Sequence, residues 1–319
     1  MANLPGVVCA AMVLYRGSVV QPKFMPCEHG AARRLWRSLS YNVHTYLARR
    51  KEIVADLPWL GVSLRAGSED MLGRRLFKTG MYEAGVTNFL LHYLANAEQD
   101  VIFDVGANVG YYSVLTHRVC GDSVPVHAIE AEPENYRQLQ HNLSQSNAAS
   151  VVPHFCAVSD KPGESKLYLW KASNRGKHSL VPFEGAETVT VKTRTLDEIY
   201  RDEGLEGRTV SLLKIDIEGG EHGAFLGAQN MLKHCAVIAS EVSPKFLKRA
   251  GLSLDDHIAL VCDQGFEMFE ICDDQTVRPC TVDDLRDSRK GRNVAYVRKD
   301  LLQAQWLADA LKMPPKPKT

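Results

Sequence analysis

The stretch "LLKIDIEGGEH", residues 212–222, sets Lys214, Asp216 and Glu218 on alternate positions among Leu213, Ile215 and Ile217. On a strand, alternate residues share one face. Charged residues on a buried strand are costly unless they pair or work. Lys214 could pair with Asp216 or Glu218, and the remaining carboxylate would then face a cleft. There it could act as a general base toward a hydroxyl, or hold a divalent cation such as Mg or Mn through oxygen. Glu241, in "IASEVS", closes the next strand and could approach the same cleft, so Asp216 and Glu241 are the candidate metal ligands. His222, at the mouth of the following helix, is a rival base, although a lone histidine there is more often a surface or capping residue.

A second stretch, "VIFDVGANVGYYS" (residues 101–113), reads as a strand turning sharply into a helix. Its pattern is D-x-G-x-N-x-G, formed by Asp104, Gly106, Asn108 and Gly110. The spacing differs from the dinucleotide fingerprint G-x-G-x-x-G, and no Gly-Lys-Ser/Thr follows as in a P-loop. Both of those bring amides to a phosphate. A carboxylate just ahead of the turn would repel a phosphate but could accept from an ammonium group, directly or through water. That points to a nucleoside joined to an amino acid, as in S-adenosylmethionine. Glu130, in "HAIEAEPEN", stands about 20 residues on, at the next strand end, where an acid accepts from ribose hydroxyls.

These stretches need a scaffold. From residue 85, strands and helices alternate, and runs such as "VIFDV" and "AVIASEV" are apolar on both faces. This predicts an α/β fold with a mostly parallel, doubly covered sheet. "FEMFEIC" and "NVAYVRK" lack a helix between them and predict a terminal hairpin at one edge. Two extended runs, "ESKLYLW" and "ETVTVKTRTL", flank a polar loop from Lys171 to Glu187, longer than most connections in a compact domain. Lys177, His178 and Ser179 of that loop, which could close over an acceptor, and Tyr82 are the candidate substrate contacts.

The 319 residues carry 38 basic and 38 acidic side chains, and this zero balance gives no electrostatic reason to expect nucleic acid. Eight cysteines form no C-x-x-C pair and read as reduced, buried thiols of a cytoplasmic protein. The opening "MANLPGVVCAAMVLYRG" lacks a basic lead-in, is broken by Pro5 and Gly6, and reads as neither membrane span nor targeting signal. Residues 1–75 show no strand–helix alternation and predict a helical extension, with "AARRLWRSLSYNVHTYLARRKEIVADL" helical throughout. Leu35, Leu39, Val43 and Leu47 mark its apolar stripe; its arginines read as a solvated face, with contact to anionic lipid the lesser reading. The expected division is an extension (1–75), a cofactor-binding domain (76–300) and a proline-rich tail (301–319).

"DVGANVGYYS", "AIEAEPENYRQLQHNL", "TRTLDEI" and "LLKIDIEGGEHGAFLGA", in this order, resemble the FkbM-type S-adenosylmethionine-dependent methyltransferases. "TGMYEAGVTNFLLHYL" resembles the segment that leads into that domain, and the likeness covers roughly residues 75–245. It implies the class I methyltransferase fold, a Rossmann-like seven-stranded sheet with a terminal β-hairpin. It implies O-methylation, commonly of sugar hydroxyls or of secondary-metabolite hydroxyls. Carried over by position, Asp104, Gly106, Asn108 and Gly110 would line the methionine part of the cofactor and Glu130 would hold the ribose. Cys156 and Ala157 would border the adenine, and Asp216 and Glu218 fall in the acidic strand-end motif. Ala131 stands where members often carry proline. Two rival readings are an NAD-dependent oxidoreductase, which the Gly106–Gly110 spacing disfavours, and a non-catalytic binding scaffold, which the acids at 104, 130 and 216 disfavour.

Overall fold

The computed structural model describes residues 31–47, 49–170, 176, 178–286 and 291–313. Its N-terminal part is α1 (Ala31–Asn42) and a π-helical turn (Val43–Leu47), followed by the antiparallel hairpin β1 (Glu52–Leu57) and β2 (Val62–Gly67). The sequence reading of an unbroken helix to Leu57 is therefore corrected. Ile53, Ala55 and Leu57 are buried while Val54 and Asp56 are exposed, which is the period of a strand. The turn between the strands uses Pro58 and Gly61, the latter at φ 69. The apolar stripe also behaves differently from expectation. Leu35, Leu39, Val43 and Leu47 are 49–79% exposed, and the helical segment instead buries Tyr41 and Thr45. The Tyr41 hydroxyl donates to the Ser68 carbonyl, tying this segment to the end of the hairpin.

Next come α2 (Met71–Thr79), capped by the Asp70 carboxylate, and α3 (Ala84–Asn96). The alternating region follows as β3 (Val101–Val105), α4 (Tyr111–Cys120), β4 (Val126–Glu130), α5 (Pro133–Gln145) and β5 (Val151–Phe155). Three strands stand apart as a small sheet in the order β6-β8-β7: β6 (Ala157–Val158), β7 (Gly163–Leu169) and β8 (Glu187–Arg194). Then come α6 (Leu196–Asp202), opened by a Thr195–Glu198 capping box, β9 (Val210–Ile215), α7 (Glu221–Leu226) and β10 (Cys235–Val242). The chain continues as α8 (Pro244–Arg249), α9 (Leu254–Cys262), β11 (Phe266–Ile271), β12 (Val277–Pro279), α10 (Val282–Arg286), β13 (Arg292–Arg298) and α11 (Gln305–Leu311).

The central sheet runs β12-β11-β13-β10-β9-β3-β4-β5. The pairs β10–β9, β9–β3, β3–β4 and β4–β5 are parallel, and β13 is antiparallel to both β10 and β11. The expected β11–β13 pairing is present, but the last strand inserts between β10 and β11. The short β12, an eighth strand not anticipated from the sequence, takes the outer edge. Every residue of β3 and β9 is buried, which explains their apolar runs. Each face of the sheet carries its own apolar layer, with Ile102 and Leu212 in one and Phe103 and Leu213 in the other. Leu57, Leu64 and Leu76 of the N-terminal part share the first layer with Leu115 and Leu139.

Parallel order lines up the carboxyl ends of β3, β4, β9 and β10, and sharp turns there open the cleft. After β3, Gly106 (φ 77), Asn108 (φ 52) and Gly110 (φ 88) all adopt left-handed backbone, and the Gly106 and Ala107 amides donate to the Ile129 carbonyl. A Cβ on Gly106 would lie 2.0 Å from the Asp216 carbonyl oxygen, so glycine is required by contact as well as by φ. Gly106→Ala is expected to cost roughly 2–5 kcal/mol, as left-handed strain plus overpacking. Urea unfolding checks this, and a loss under about 0.5 kcal/mol would mean that the two turns yield easily.

Candidate active site

Asp104 and Lys214 are direct neighbours in the register of β3 and β9, and both are buried. The Lys214 ammonium lies 3.4 Å from Asp104 Oδ1, 3.4 Å from the Gly106 carbonyl and 5.1 Å from the Tyr112 ring centre. Ser113 Oγ donates to the other Asp104 oxygen at 2.6 Å. Burial alone would lower the lysine's pKa, but Asp104, then Asp216 and Glu83, more than offset this and hold it above its ordinary value. The partner of Lys214 is thus Asp104 on the neighbouring strand, rather than Asp216 or Glu218 on its own. Asp104 lies beneath the cleft wall, where it holds the floor together.

The cleft above is lined by Gly106, Asn108, Glu130, Cys156, Ala157 and Asp216, among others. Glu130 Oε2 accepts from the Asn108 amide at 2.7 Å and Oε1 from the Glu132 amide at 2.8 Å. These two bonds fix the carboxylate at the end of β4 while leaving lone pairs for further donors. The buried Asn108 Oδ1 has no hydrogen-bond partner among the described residues. An acid and an amide oxygen in one concave, otherwise mostly apolar wall fit the ribose and amino-acid ends of S-adenosylmethionine. Gly110 is not on that wall: a Cβ there would meet Leu139 of α5 at 2.7 Å, so its role is helix packing.

Ligand oxygens of Asp216 and Glu218, which also line the cleft, and of Glu241, which lines an adjoining cavity, all lie within 4.8 Å of one another. The sequence reading grouped these acids, and the turn after β9 brings them together. Glu218 (φ 51) and Gly219 (φ 97) are left-handed, and the buried Glu221 carboxylate locks the turn by accepting from the Ile217 and Gly219 amides, each at 2.8 Å. Asp216 borders both the main cleft and a smaller adjoining cavity with Glu83, Ser240, Glu241 and Asn293. Asp216 Oδ1 has no hydrogen-bond partner among the described residues.

Glu83 was not singled out in the sequence. It sits at φ 39 just ahead of α3 and accepts from the Tyr112 hydroxyl at 3.0 Å. Burial, then Asp216, pushes its carboxyl up to about 7. The available signal was an acid directly after Tyr82, a residue already taken as a substrate contact. Tyr82 does line the cleft, edge-on to Tyr111 at 6.5 Å. Burial, then Glu83, raises its hydroxyl pKa well above the ordinary value.

The loop candidates separate. Lys177 lies outside the described residues. His178 lines the cleft, and its Nδ1 accepts from the Trp170 amide at 2.9 Å, which puts the neutral ring's proton on Nε2. Ser179 is buried and bonds the fold itself: its Oγ donates to the Glu218 carbonyl at 2.7 Å and accepts from the Val181 amide. It therefore ties the loop to the acidic turn and offers little to a substrate. His222 does not line the cleft; its ring stacks at 5.8 Å on His257 of α9.

The model of the methyltransferase FkbM domain matches residues 104–268, more than half of the chain. The chain belongs to the FkbM methyltransferase family. Among curated relatives, it is 28% identical over 145 residues to the hexuronic acid methyltransferase AglP of Haloferax volcanii, covering 46% of this chain and 56% of that protein. It is 26% identical over 197 residues to the 31-O-demethyl-FK506 methyltransferase FkbM of Streptomyces tacrolimicus, covering 52% of this chain and 71% of that one. A solved methyltransferase FkbM from Methylobacillus flagellatus KT superposes with a TM-score of 0.40 at 17% identity, over 62% of this chain and 43% of the other. The matched segment spans just over half the length of the Haloferax relative. Family membership makes this domain an S-adenosylmethionine-dependent methyltransferase and sets aside the oxidoreductase reading. Among the described residues no helix is long and apolar enough to cross a membrane.

Two predictions follow from these carboxyls. Glu130→Ala should weaken S-adenosylmethionine binding roughly ten- to hundredfold, the worth of charge-assisted hydrogen bonds; unchanged affinity by calorimetry would remove Glu130 from the cofactor site. The second concerns pH. Burial raises Glu83 and Glu130 to about 7 and Glu221 to about 8. Each holds its proton more tightly folded than unfolded, so its stabilisation is full below about 4.5 and is lost as pH rises through its folded value. Burial also pushes His127 and His257 down to about 4, and their opposite contribution is complete above pH 6.5. The melting temperature of the cofactor-free chain should therefore fall between pH 6.5 and 8. A flat or rising curve would show that the acids are solvated.

Proposed function

We propose that this methyltransferase is an O-methyltransferase that transfers the methyl group of S-adenosylmethionine to a hydroxyl of a sugar or glycan. The carrying observation is the carboxylate trio of Asp216, Glu218 and Glu241, of which Asp216 and Glu218 line the same cleft as Glu130. The relatives' names, a hexuronic acid methyltransferase and a 31-O-demethyl-FK506 methyltransferase, support an oxygen acceptor; the first favours a carbohydrate, the second the alternative of a small metabolite.

When bound, the cofactor supplies a methyl group already activated on a sulfonium. The chain has to hold the acceptor oxygen in line and remove its proton. Sugar hydroxyls are very weak acids, so a base or a Lewis acid is needed at the oxygen. Asp216 borders the cleft with an oxygen that no described residue occupies, and it takes the hydroxyl proton. Glu218 and Glu241 sit close enough to share that proton or to orient the acceptor. His178 and Tyr82 offer hydrogen-bonding groups on the same wall.

A second reading has its own support: three carboxylate oxygens within 4.8 Å, with the nearby Lys214 already committed to Asp104, make a hard-oxygen cage of the kind that takes Mg or Mn. Incubation with labelled S-adenosylmethionine and a panel of glycans, uronic acids, nucleotide sugars and small alcohols, with Mg or with chelator, tests both readings. Loss of transfer in chelator selects the cation, and undiminished transfer selects the base. Asp216→Asn should lower turnover by roughly 10²–10⁴-fold, the usual worth of a positioned base. Its cofactor affinity should stay within about threefold, because Asp216 acts on the acceptor. Unchanged turnover in that variant would take Asp216 out of the reaction.

A further inference from the structure

Away from the strand ends, two histidines meet in the body of the sheet. His127 of β4 and His154 of β5 are both buried, with their rings 5.3 Å apart at a shallow angle. His127 Nδ1 and His154 Nε2 are 3.0 Å apart, and His127 also stacks on Phe103 at 4.9 Å. His127 Nε2 has no hydrogen-bond partner among the described residues, so a single imidazole–imidazole bond is all that offsets the burial of its polar atoms. Beside the pair, Glu203 follows the last turn of α6, and ligand atoms of His127, His154 and Glu203 all lie within 4.8 Å of one another. The nearby cations are already committed: Arg194 pairs with Asp202 and Arg208 with Asp100.

We propose that His127, His154 and Glu203 form a binding site for a divalent first-row transition ion, zinc above all, separate from the methyl-transfer cleft. The ligand set, two imidazoles and one carboxylate, suits zinc, cobalt, nickel or copper and not magnesium or calcium. The geometry agrees. At metal–nitrogen distances of about 2.0–2.1 Å, nitrogens 3.0 Å apart subtend roughly 90–100° at the ion, an angle within reach of four- and five-coordinate sites. Two ligands of one ion can stand no more than about 4.3 Å apart at such bond lengths, so Glu203, within 4.8 Å of both histidines, has to move inward by about half an ångström at most. It is exposed and can do so. A remaining coordination position would face solvent on the Glu203 side.

The site would have a mechanical consequence. Glu130 ends the strand that carries His127, and Cys156 and Ala157 follow the strand that carries His154. An ion bridging the two histidines would pin β4 to β5 directly behind one wall of the cofactor cleft.

The test uses the full chain, stripped with chelator and desalted, carrying Asp216→Asn and Glu241→Gln so that an ion at the carboxylate trio is not counted. Zinc chloride is titrated by calorimetry and cobalt chloride by visible absorbance. The expected result is one ion per chain and a cobalt spectrum of nitrogen and oxygen ligation without a thiolate band. His154→Gln and Glu203→Gln should each weaken binding tenfold or more, and zinc should raise the melting temperature of the parent by several degrees more than that of Glu203→Gln. Because Glu203 is exposed, its variant decides the matter if His154→Gln fails to fold. Absence of micromolar binding, a thiolate spectrum, or affinity unchanged in Glu203→Gln would overturn the site.

Discussion

The approach of Gly106 to the Asp216 carbonyl is the constraint on which the cleft depends. No side chain fits at Gly106, because its Cβ would stand 2.0 Å from that oxygen. Its absence lets the turn after β3 lie against the turn after β9, and the Asp216 amide donates back to the Val105 carbonyl at 3.1 Å. The two turns become one wall. One carries the Asn108 amide that, with the Glu132 amide, holds Glu130, and the other carries Asp216 and Glu218. Beneath them the Asp104–Lys214 pair joins the same two strands through charge. Such a pair adds little net stability over an apolar pair of equal size, but losing either partner leaves a buried charge and is expensive.

Around that wall the chain accumulates carboxyl groups in places where water cannot stabilise their charge. Glu83, Glu130 and Glu221 are all shifted upward by burial first, and Glu83 also by Asp216. Each serves differently. Glu221 spends its oxygens on the amides of the acidic turn, Glu130 on the amides that hold it at the cleft, and Glu83 on Tyr112. The left-handed backbone at Glu83 and Glu218, where neither is a glycine, is strain of the kind that a surrounding structure maintains at working sites. Together they leave a site that favours a bound proton or cation, consistent with chemistry that withdraws a proton from a hydroxyl.

The N-terminal hairpin is part of the same body. Arg65 of β2 both donates its amide to, and accepts through its carbonyl from, the Asn142 side chain of α5, at 2.8 Å each. Asn142 also donates to the Val109 carbonyl, inside the glycine turn. One buried amide thus connects the hairpin, α5 and the cofactor turn, so residues 52–79 bear on the cleft even though they precede the family match.

The sequence by itself determined the features whose signal is local. Uninterrupted apolar runs marked the central parallel strands, the glycines at 106 and 110 marked a turn that only left-handed backbone makes, and alternation in "LLKIDIE" marked the acids. These are legible because strand period, backbone sterics and the cost of burying charge act within a few residues. Tertiary structure alone decided who partners whom. Lys214 and Asp104 are 110 residues apart and meet only through strand register. Ser179, a candidate substrate contact by its place in a polar loop, is turned inward by the Glu218 carbonyl, and His222 by the ring of His257. The helix expected over residues 31–57 runs through β1 because the stripe of Leu35, Leu39, Val43 and Leu47 ahead of it masks the strand's alternation. That stripe stays exposed among the described residues, and the faces actually buried were chosen by contacts with distant chain. Pairing across the sheet is long-range, and no spacing along the chain encodes it.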